Sequence, residues 1–412
     1  MNNLELIIIA PTQIKRQLSV GNIYDLTIAD FYAKCRKFAN VDIYMPFLWN
    51  INGEPLVKQM REDGYSVDGV TIEAYVSSLI ARANKKMEDH YINFDGFIRD
   101  DHIQGELNSL LTGRYADYLV DGDTYINECI VCKNIFGSDP SIKICKICGS
   151  NTIFRGRKTF FKKIKRSTIE DKIKKIKFYP DSLNEKLLDF LNYLPDEYDL
   201  ILEKNREYTL NYDKYKLDPR FITMLLPAII NDRLQKKVDN IIYIHGDVVK
   251  KFDYYSICYL ENCDLPSKVV SHGVIVDKEN KKIRWQDDDG EELEIFKIIN
   301  NKILRAYFLS HNIVGNLMFD KQNVQGQVKG LTKLYIKIKK ILSYEGQDNN
   351  SDKDMRGVII DFHNKVGDFK LAMAFDCMQK YTEMCWKKTK DGFLSLEEKD
   401  NLIKFRDIYF GK

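Results

Sequence analysis

The 412-residue sequence has no apolar run long enough to cross a lipid bilayer, and its apolar segment at residues 6–10 has only the length of a strand. It also lacks a stretch resembling a signal peptide and any internal repeat. No large excess of charge is present, because 63 Lys and Arg residues against 60 Asp and Glu residues leave a formal net charge of +3. We therefore expect a cytoplasmic protein without a membrane partner, and nucleic-acid binding stays open.

The six histidines are scattered and form no sequence pattern typical of a catalytic triad or a metal cluster. His245 and His272 stand near the ends of two predicted strands, where each could approach a nucleotide. A histidine at such a place is more often an ordinary hydrogen-bonded neighbour of a site.

Four of the nine cysteines form two CxxC pairs, Cys129 with Cys132 and Cys145 with Cys148, separated by a twelve-residue spacer. Each pair can place two thiolates on one side of a tight turn, and four sulfurs complete the tetrahedral coordination of a structural zinc ion. Disulfide bonds are the alternative. The other five cysteines show no framework spacing, so a reducing compartment and zinc fit the sequence better.

A strongly basic stretch follows the cysteines. Residues 155–166, RGRKTFFKKIKR, combine lysine and arginine with two aromatic residues, which suits phosphate contacts and base stacking. A solvated face of a lysine-rich protein explains the same pattern equally well.

The amino-terminal segments follow the order of a nucleotide-binding βαβ unit. Residues 4–10 are almost continuously apolar, as in a central strand of a parallel sheet, and predicted helix 23–38 and strand 41–49 come after a loop that contains Gly21. Gly21 would let a phosphate approach the N-terminus of the helix. A glycine required only by the geometry of a turn is the alternative.

The remaining segments predict an α/β protein with the cysteine module inserted between its halves. Residues 71–87 have helical periodicity, helices and loops alternate from the cysteines to residue 233, and strands 240–244 and 269–276 flank a helix at 248–261. From about residue 291 the pattern is helical, interrupted by the polar loop 345–354. The predicted units are residues 1–112, first half of the nucleotide-binding fold; 113–168, cysteine insertion; 169–295, second half; and 296–412, helical domain.

The order of several segments resembles that of methionyl-tRNA synthetases of class I. These segments are INFDGFIRDDH (92–102), the two CxxC pairs, IIYIHGDVVKKF (241–252), DLPSKVVSHGVIV (264–276) and ILRAYFL (303–309). The resemblance implies an α/β fold: a class I Rossmann-like parallel sheet, an inserted zinc-knuckle connective module, and a C-terminal α-helical bundle similar to a truncated anticodon-binding bundle.

Both nucleotide-binding signatures of that family are altered. The His-x-Gly-His signature is replaced by Ser19-Val20-Gly21-Asn22, and the lysine-rich signature by the stretch beginning Lys281-Lys282. The resemblance implies that Ser19, Asn22 and Lys281 or Lys282 act in catalysis. It implies nucleotide contacts for the following residues: Pro11, Gly21, Asn22, Asp247, His272 and Gly273.

The pocket that would hold the amino acid is altered as well. Asn50 stands where the family has the aspartate that binds the substrate ammonium group, and Asp253 replaces the histidine of a Phe-His pair. With Thr12, these residues are the predicted substrate contacts. Methionine is therefore not the expected substrate, because a carboxylate at Asp253 suits a polar or cationic group better than a thioether.

Together these features predict an adenylate-forming ligase. ATP with Mg²⁺ would activate an amino acid or related carboxylate, and the acyl group would pass to a small-molecule amine, as in a biosynthetic pathway for small molecules, or to a tRNA. Zn²⁺ would be structural. The alternative is a non-catalytic synthetase paralogue that binds tRNA or a protein as a scaffold.

Overall fold

The computed structural model describes most of the chain. The described residues are 4–14, 17–137, 140–145, 148–234, 238–246, 265–283, 296, 299–345 and 352–412. The predicted helix at 248–261 and two predicted site residues, Asp247 and Asp253, lie outside them.

The strands, in chain order, are β1 (Leu4–Ile9), β2 (Thr12–Gln13), β3 (Asp42–Tyr44), β4 (Pro46–Asn50), β5 (Gly96–Arg99), β6 (Val120–Cys129), β7 (Thr152–Lys165), β8 (Lys177–Tyr179), β9 (Glu197–Ile201), β10 (Asn211–Tyr212), β11 (Tyr215–Lys216), β12 (Val238–Gly246), β13 (Lys268–His272), β14 (Ile275–Val276) and β15 (Leu317–Met318). The α-helices are α1 (Val20–Phe38), α2 (Glu54–Glu62), α3 (Gly69–Asp89), α4 (Gln104–Thr112), α5 (Arg166–Ile173), α6 (Ser182–Leu191), α7 (Pro219–Leu234), α8 (Asn301–Leu309), α9 (Lys321–Leu342), α10 (Lys353–Gly367), α11 (Leu371–Asp391) and α12 (Leu396–Phe410).

The main sheet consists of parallel strands in the order β3-β1-β12-β13-β8. Every residue of β1 is buried, because β1 lies inside the sheet and is covered on both faces. β1 pairs directly with β12, so segments on either side of the cysteine module belong to one sheet. The predicted parallel α/β fold is confirmed, whereas the domain boundaries at 112, 168 and 295 stay predictions.

Two of the smaller sheets have three strands each. β2, β4 and β5 form a parallel sheet in the order β2-β4-β5, and β6, β7 and β9 form an antiparallel sheet in the order β6-β7-β9. The long hairpin of β6 and β7 ends at the cysteines, where Cys129 pairs with Thr152.

The prediction of one strand over residues 41–49 is wrong. β3 belongs to the main sheet, β4 belongs to the second sheet, and Met45 lies between them. Pro46 has no N–H to donate to a continuing ladder. The backbone of Met45 instead bonds to Asp95, whose carboxylate accepts the Met45 N–H at 2.8 Å.

The strand predicted over residues 269–276 also divides. β13 ends at His272, and β14 leaves the main sheet to pair with β15. At the division, Gly273 packs so closely against Gly315 that a Cβ on Gly273 would lie 2.1 Å from the Gly315 carbonyl oxygen. Only glycine fits this approach, so Gly273 has a packing role whether or not it contacts a nucleotide.

The prediction that helices and loops alternate from the cysteines to residue 233 is wrong, because strands β7 to β11 lie in this part of the chain. Residues 152–165 form strand β7, and β9 follows it in the same sheet. Thr159, Phe160, Phe161 and Ile164 are buried in β7, and these β-branched and aromatic residues suit a strand.

The C-terminal third is helical from α8 onward, as predicted, apart from the two-residue strand β15. Phe369, Phe375, Met378 and Tyr381 are buried in its core, and Ala372 is partly buried. None of the helices in the described part of the chain is long and apolar enough to span a membrane.

Candidate functional site

Helix α1 begins closer to the first strand than its sequence pattern predicts. It starts at Val20 rather than Ile23, and Ser19 is its N-cap. The Ser19 hydroxyl accepts the Asn22 N–H at 3.1 Å, and the Asn22 side-chain oxygen accepts the Ser19 N–H at 3.1 Å. The cap occupies the amide oxygen of Asn22 and leaves its NH₂ group as the donor for a ligand.

Gly21 lies in the first turn of α1, not in a loop. A Cβ at Gly21 would lie 3.7 Å from the Ser19 hydroxyl oxygen, an ordinary contact, so packing within the protein does not require glycine here. Its missing side chain leaves the helix N-terminus open. A helix N-terminus favours anions, and this one follows the first strand of a parallel sheet, where phosphates commonly bind.

Two histidines end the neighbouring strands β12 and β13. In the strand register His245 pairs with Ser271, and Gly246 pairs with His272. Both histidines are 1% exposed, and burial lowers the pKa of His245 to about 3. The His272 ring nitrogen Nδ1 lies 2.9 Å from the Gly273 carbonyl oxygen, which turns the other nitrogen, Nε2, toward α1.

Asp25 of α1 completes this group and was missed by the sequence analysis. Its Oδ1 lies 3.4 Å from His272 Nε2, and a Cβ on Gly246 would lie 3.7 Å from the same oxygen. Burial raises the pKa of Asp25 to about 6, although the charges of His272 and Lys282 act in the opposite direction. Asp25 follows Asn22 by three residues, and on a helix this spacing places the two side chains on the same face. That spacing could have indicated from the sequence that Asp25 lies beside the predicted phosphate contact.

The two candidate lysines differ in their surroundings. Lys281 is largely exposed, and its Nζ lies 2.8 Å from a Glu279 carboxylate oxygen. Lys282 is exposed as well, and its charge acts to lower the pKa of Asp25. Of the two lysines, Lys282 is therefore the one with an electrostatic link to Asp25.

Pro11, Thr12 and Asn50 lie where the chain passes from the main sheet to the second sheet. The Ala10 N–H, just before Pro11, donates to the Ile244 carbonyl at 3.3 Å, and Thr12 pairs with Trp49 in the next sheet. Asn50 ends β4, and its buried side-chain oxygen has no hydrogen-bond partner among the described residues. The predicted substrate contacts Thr12 and Asn50 therefore stand on adjacent strands.

The four cysteine sulfurs converge at the end of the β6–β7 hairpin. The Sγ atoms of Cys129 and Cys148 are 3.5 Å apart, those of Cys132 and Cys145 are 3.6 Å apart, and all four lie within 4.8 Å of one another. A disulfide would bring two sulfurs to about 2 Å. Four thiolates around zinc, each about 2.3 Å from the ion, stand roughly 3.8 Å apart. The cluster therefore fits a structural zinc site.

The fold of this chain matches those of solved synthetase structures. A Mycobacterium tuberculosis methionyl-tRNA synthetase bound by methionyl-adenylate matches with a TM-score of 0.69 at 11% identity, over 99% of this chain and 89% of that one. A second structure of that protein in complex with methionyl-adenylate gives a TM-score of 0.66 at 12% identity, covering 99% and 89% of the two chains. The chain has the fold of methionyl-tRNA synthetases.

The free-state structure of the mycobacterial synthetase gives a TM-score of 0.62 at 13% identity, over 99% of this chain and 87% of that one. No family model and no curated protein matches the sequence. The structural likeness thus confirms the synthetase-like fold at a very low level of sequence identity.

On this synthetase fold, much of the basic stretch is neutralised by acidic neighbours. Arg155 and Arg157 both pair with the buried Glu128, and Arg157 also lies 2.6 Å from Glu203. Lys162 is buried within β7 and is 5% exposed. These contacts favour a structural role for the arginines over phosphate binding by the stretch as a whole.

Proposed function

We propose that this protein is an adenylate-forming ligase that uses ATP to activate an amino acid or related carboxylate. One observation carries the proposal: Asp25 in the N-terminal part of α1 meets His272 at the carboxyl ends of β12 and β13 in a synthetase fold, and the charge of Lys282 acts on Asp25. Ligands of open parallel sheets bind at such strand ends. The two matching structures with methionyl-adenylate support a ligand of this kind.

In the proposed reaction, a carboxylate oxygen of the substrate bonds to the α-phosphorus of ATP while the bond from that phosphorus to the pyrophosphate oxygen breaks. The open N-terminus of α1 at Gly21 and the Asn22 amide would bind phosphate oxygens. Lys282 would stabilise the charge that develops on the departing pyrophosphate. Mg²⁺ would be held largely by the phosphates of ATP, and Asp25 would offer a carboxylate to it.

The acyl group would then pass to a nucleophilic acceptor, a small-molecule amine or the 3′ end of a tRNA. A tRNA- or protein-binding scaffold is the second candidate function. Helix α9 favours it, because its sequence has six lysines and no acidic residue. A cationic helix of this kind suits a phosphate backbone. The scaffold requires no adenylation, so the two candidates differ in their ATP chemistry.

Replacement of the two candidate lysines tests the proposed reaction. We expect Lys282→Ala to slow ATP–pyrophosphate exchange roughly 100-fold, because it removes a charge that stabilises the leaving group. The KM for ATP should change much less, since the charge develops mainly in the transition state.

Lys281→Ala is the matched control. It removes the adjacent lysine, whose exposed pair with Glu279 contributes about 1 kcal/mol at most, and should change the exchange rate less than about threefold. Equal rates for the two variants would contradict the role of Lys282.

A further inference from the structure

Three polar side chains stand in one row across the carboxyl ends of β2, β4 and β5. Gln13 pairs with Asn50, and Trp49 pairs with Arg99. The Asp100 N–H donates to the Trp49 carbonyl at 3.1 Å, so the same register places Asp100 opposite Asn50. The row Gln13, Asn50 and Asp100 thus lies where parallel sheets bind their ligands.

Three buried oxygen atoms in this region have nothing to accept. Asp100 is 0% exposed; its Oδ1 accepts the N–H groups of Ile51 at 2.7 Å and Asn52 at 3.2 Å. Across the described ranges, the other carboxylate oxygen of Asp100, the side-chain oxygens of Asn50 and Asn52 and the Asn52 side-chain nitrogen have no hydrogen-bond partner. Such atoms are rare in native proteins, and here three acceptors face a single unpaired donor, so this short stretch has room for a further donor group.

The Asn52 side chain lies close to Asp100. Its amide favours the ionised form of the Asp100 carboxyl, although it forms no hydrogen bond of normal geometry with it. Asn50 is partly exposed, whereas Asp100 and Asn52 are buried. A ligand would therefore enter on the Asn50 side and displace the Asn52 amide from the carboxyl.

We propose that Asp100 supplies the negative charge that receives an ammonium group of the substrate, with the side-chain oxygens of Asn50 and Asn52 completing its contacts. An ammonium group has three N–H donors and no acceptor, which matches three free acceptors. The charge is absent at Asn50, where synthetases resembling this chain have an aspartate, and the neighbouring strand provides it. This inference rests on the proposed function and narrows its substrate to amine-bearing carboxylates.

The charged groups around Asp100 are few. Asp101 follows it and is paired with Arg99 at 2.8 Å, Arg99 also lies 2.6 Å from Glu73, and the Tyr208 hydroxyl donates to Asp101 at 2.9 Å. Strands β2 and β4 contain no ionisable side chain.

On the side of α7, Pro219 would contact a Cβ on Gly53, and the preceding Asp218 is paired with Lys204 and Arg220, each at 2.8 Å. Each of these carboxylates has a cationic partner, and Asp101 and Glu73 share Arg99. Asp100 differs from them, because no ion pair joins it to a side chain in the described residues.

Burial raises the pKa of Asp100 to about 7, and the nearby charge of Asp101 acts in the same direction, while hydrogen bonds from the backbone lower it. The folded protein therefore favours the neutral carboxyl relative to the unfolded chain. An ammonium group binds the ionised carboxylate, so the affinity for an amine-bearing substrate should rise as the pH increases through about 7. Conversely, the contribution of Asp100 to the free energy of unfolding should fall as the pH rises from the ordinary pKa of an aspartate to about 7.

Asp100→Asn tests the proposal, because it removes the charge and keeps an oxygen for the two backbone N–H groups. ATP–pyrophosphate exchange is measured between about pH 6 and pH 8 with each common α-amino acid and with its counterpart lacking the amine. We expect the native protein to use an amine-bearing acid with a KM that falls as the pH rises through about 7. In Asp100→Asn this KM should rise roughly 30-fold or more and lose its pH dependence, with the KM for ATP unchanged.

Asp101→Asn is the control. It removes a neighbouring charge that already has cationic and hydroxyl partners, so it should lower stability and shift the pH midpoint downward while preserving the preference for amines. An Asp100→Asn protein that keeps the native KM and pH profile would overturn the inference and leave adenylation intact. The inference would also be overturned if the native protein used the amine-free acid equally well and its KM did not change with pH, and this measurement requires no variant. Silence of the native protein with every acid would contradict the proposed function and this inference together.

Discussion

We expect metal analysis to find one zinc ion per chain in the purified protein and none in the Cys145→Ser variant. The reason is the geometry of the four sulfurs, which lie within 4.8 Å of one another, too far apart for disulfides and close to tetrahedral coordination. Structural zinc sites contribute roughly 10–16 kcal/mol of apparent binding free energy near neutral pH. The loss of the ion should therefore have a large effect on the module.

The apolar core of the module is small. Among its described residues, the separate apolar cluster consists of Ile126, Ile135, Phe161 and Ile201, with Val120 packed against them, while Ile130, Val131 and Ile144 at the tip are exposed. So small a core rarely folds without a metal or a disulfide. We expect a strong chelator to unfold the tip of the β6–β7 hairpin, seen as increased amide exchange there, before the main sheet unfolds.

Cys385→Ala serves as the control, since Cys385 is buried in α11, far along the chain from the cluster. It should cost some packing and leave the zinc content unchanged. A native protein without bound metal after expression in zinc-supplemented medium, or one whose thermal unfolding is insensitive to chelators, would contradict the zinc assignment.

The second large effect is expected at Arg305. This guanidinium is 2% exposed; its Nη2 lies 2.5 Å from Asp30 of α1, and its Nε donates to the Ile408 carbonyl of α12 at 2.8 Å. It therefore joins α1 to the C-terminal helices α8 and α12. Arg305→Met should lower the free energy of unfolding by about 3–5 kcal/mol, because it leaves Asp30 buried and removes one of its cationic partners.

Chemical denaturation measures this loss. Arg356→Met, which removes an exposed arginine 3.3 Å from Glu397, is the control and should cost less than about 1 kcal/mol. The double variant Arg305→Met, Asp30→Leu should recover part of the loss, since it removes the uncompensated charge as well. A single Arg305→Met variant as stable as the control would show that packing, not the ion pair, joins these helices.

The features that the sequence predicted correctly have strong local patterns. The apolar run of β1, the helical periodicity of α3 and the two CxxC pairs each indicate one structure with few alternatives. The ordered segments resembling a synthetase then indicated the fold, although overall identity to the solved structures is only 11–13%.

The incorrect and missed features depend on contacts between distant parts of the chain. The basic stretch resembles a solvated or nucleic-acid-binding surface because its partners Glu128 and Glu203 are distant in the sequence. Asp25 and Asp100 are ordinary residues in the sequence, and only burial beside particular strand ends gives them unusual pKa values. Local periodicity carries no information on either effect.

The same limit explains the two divided strands. Their division at Met45 and at Gly273 follows from the Asp95 side chain and from the close Gly315 backbone. Both partners come from other segments, so residues 41–49 and 269–276 each resemble one continuous strand when considered alone.

ATP–pyrophosphate exchange by the native, zinc-loaded protein tests the central claim most directly. Labelled pyrophosphate should enter ATP only in the presence of one or a few carboxylates, and the account predicts that these carry an amine. This result would establish that the protein forms acyl adenylates, and the Lys282→Ala variant would then test whether the proposed group does so. Absence of exchange across all common amino acids and their amine-free counterparts, in a protein that is folded and zinc-loaded, would contradict adenylation and favour the scaffold.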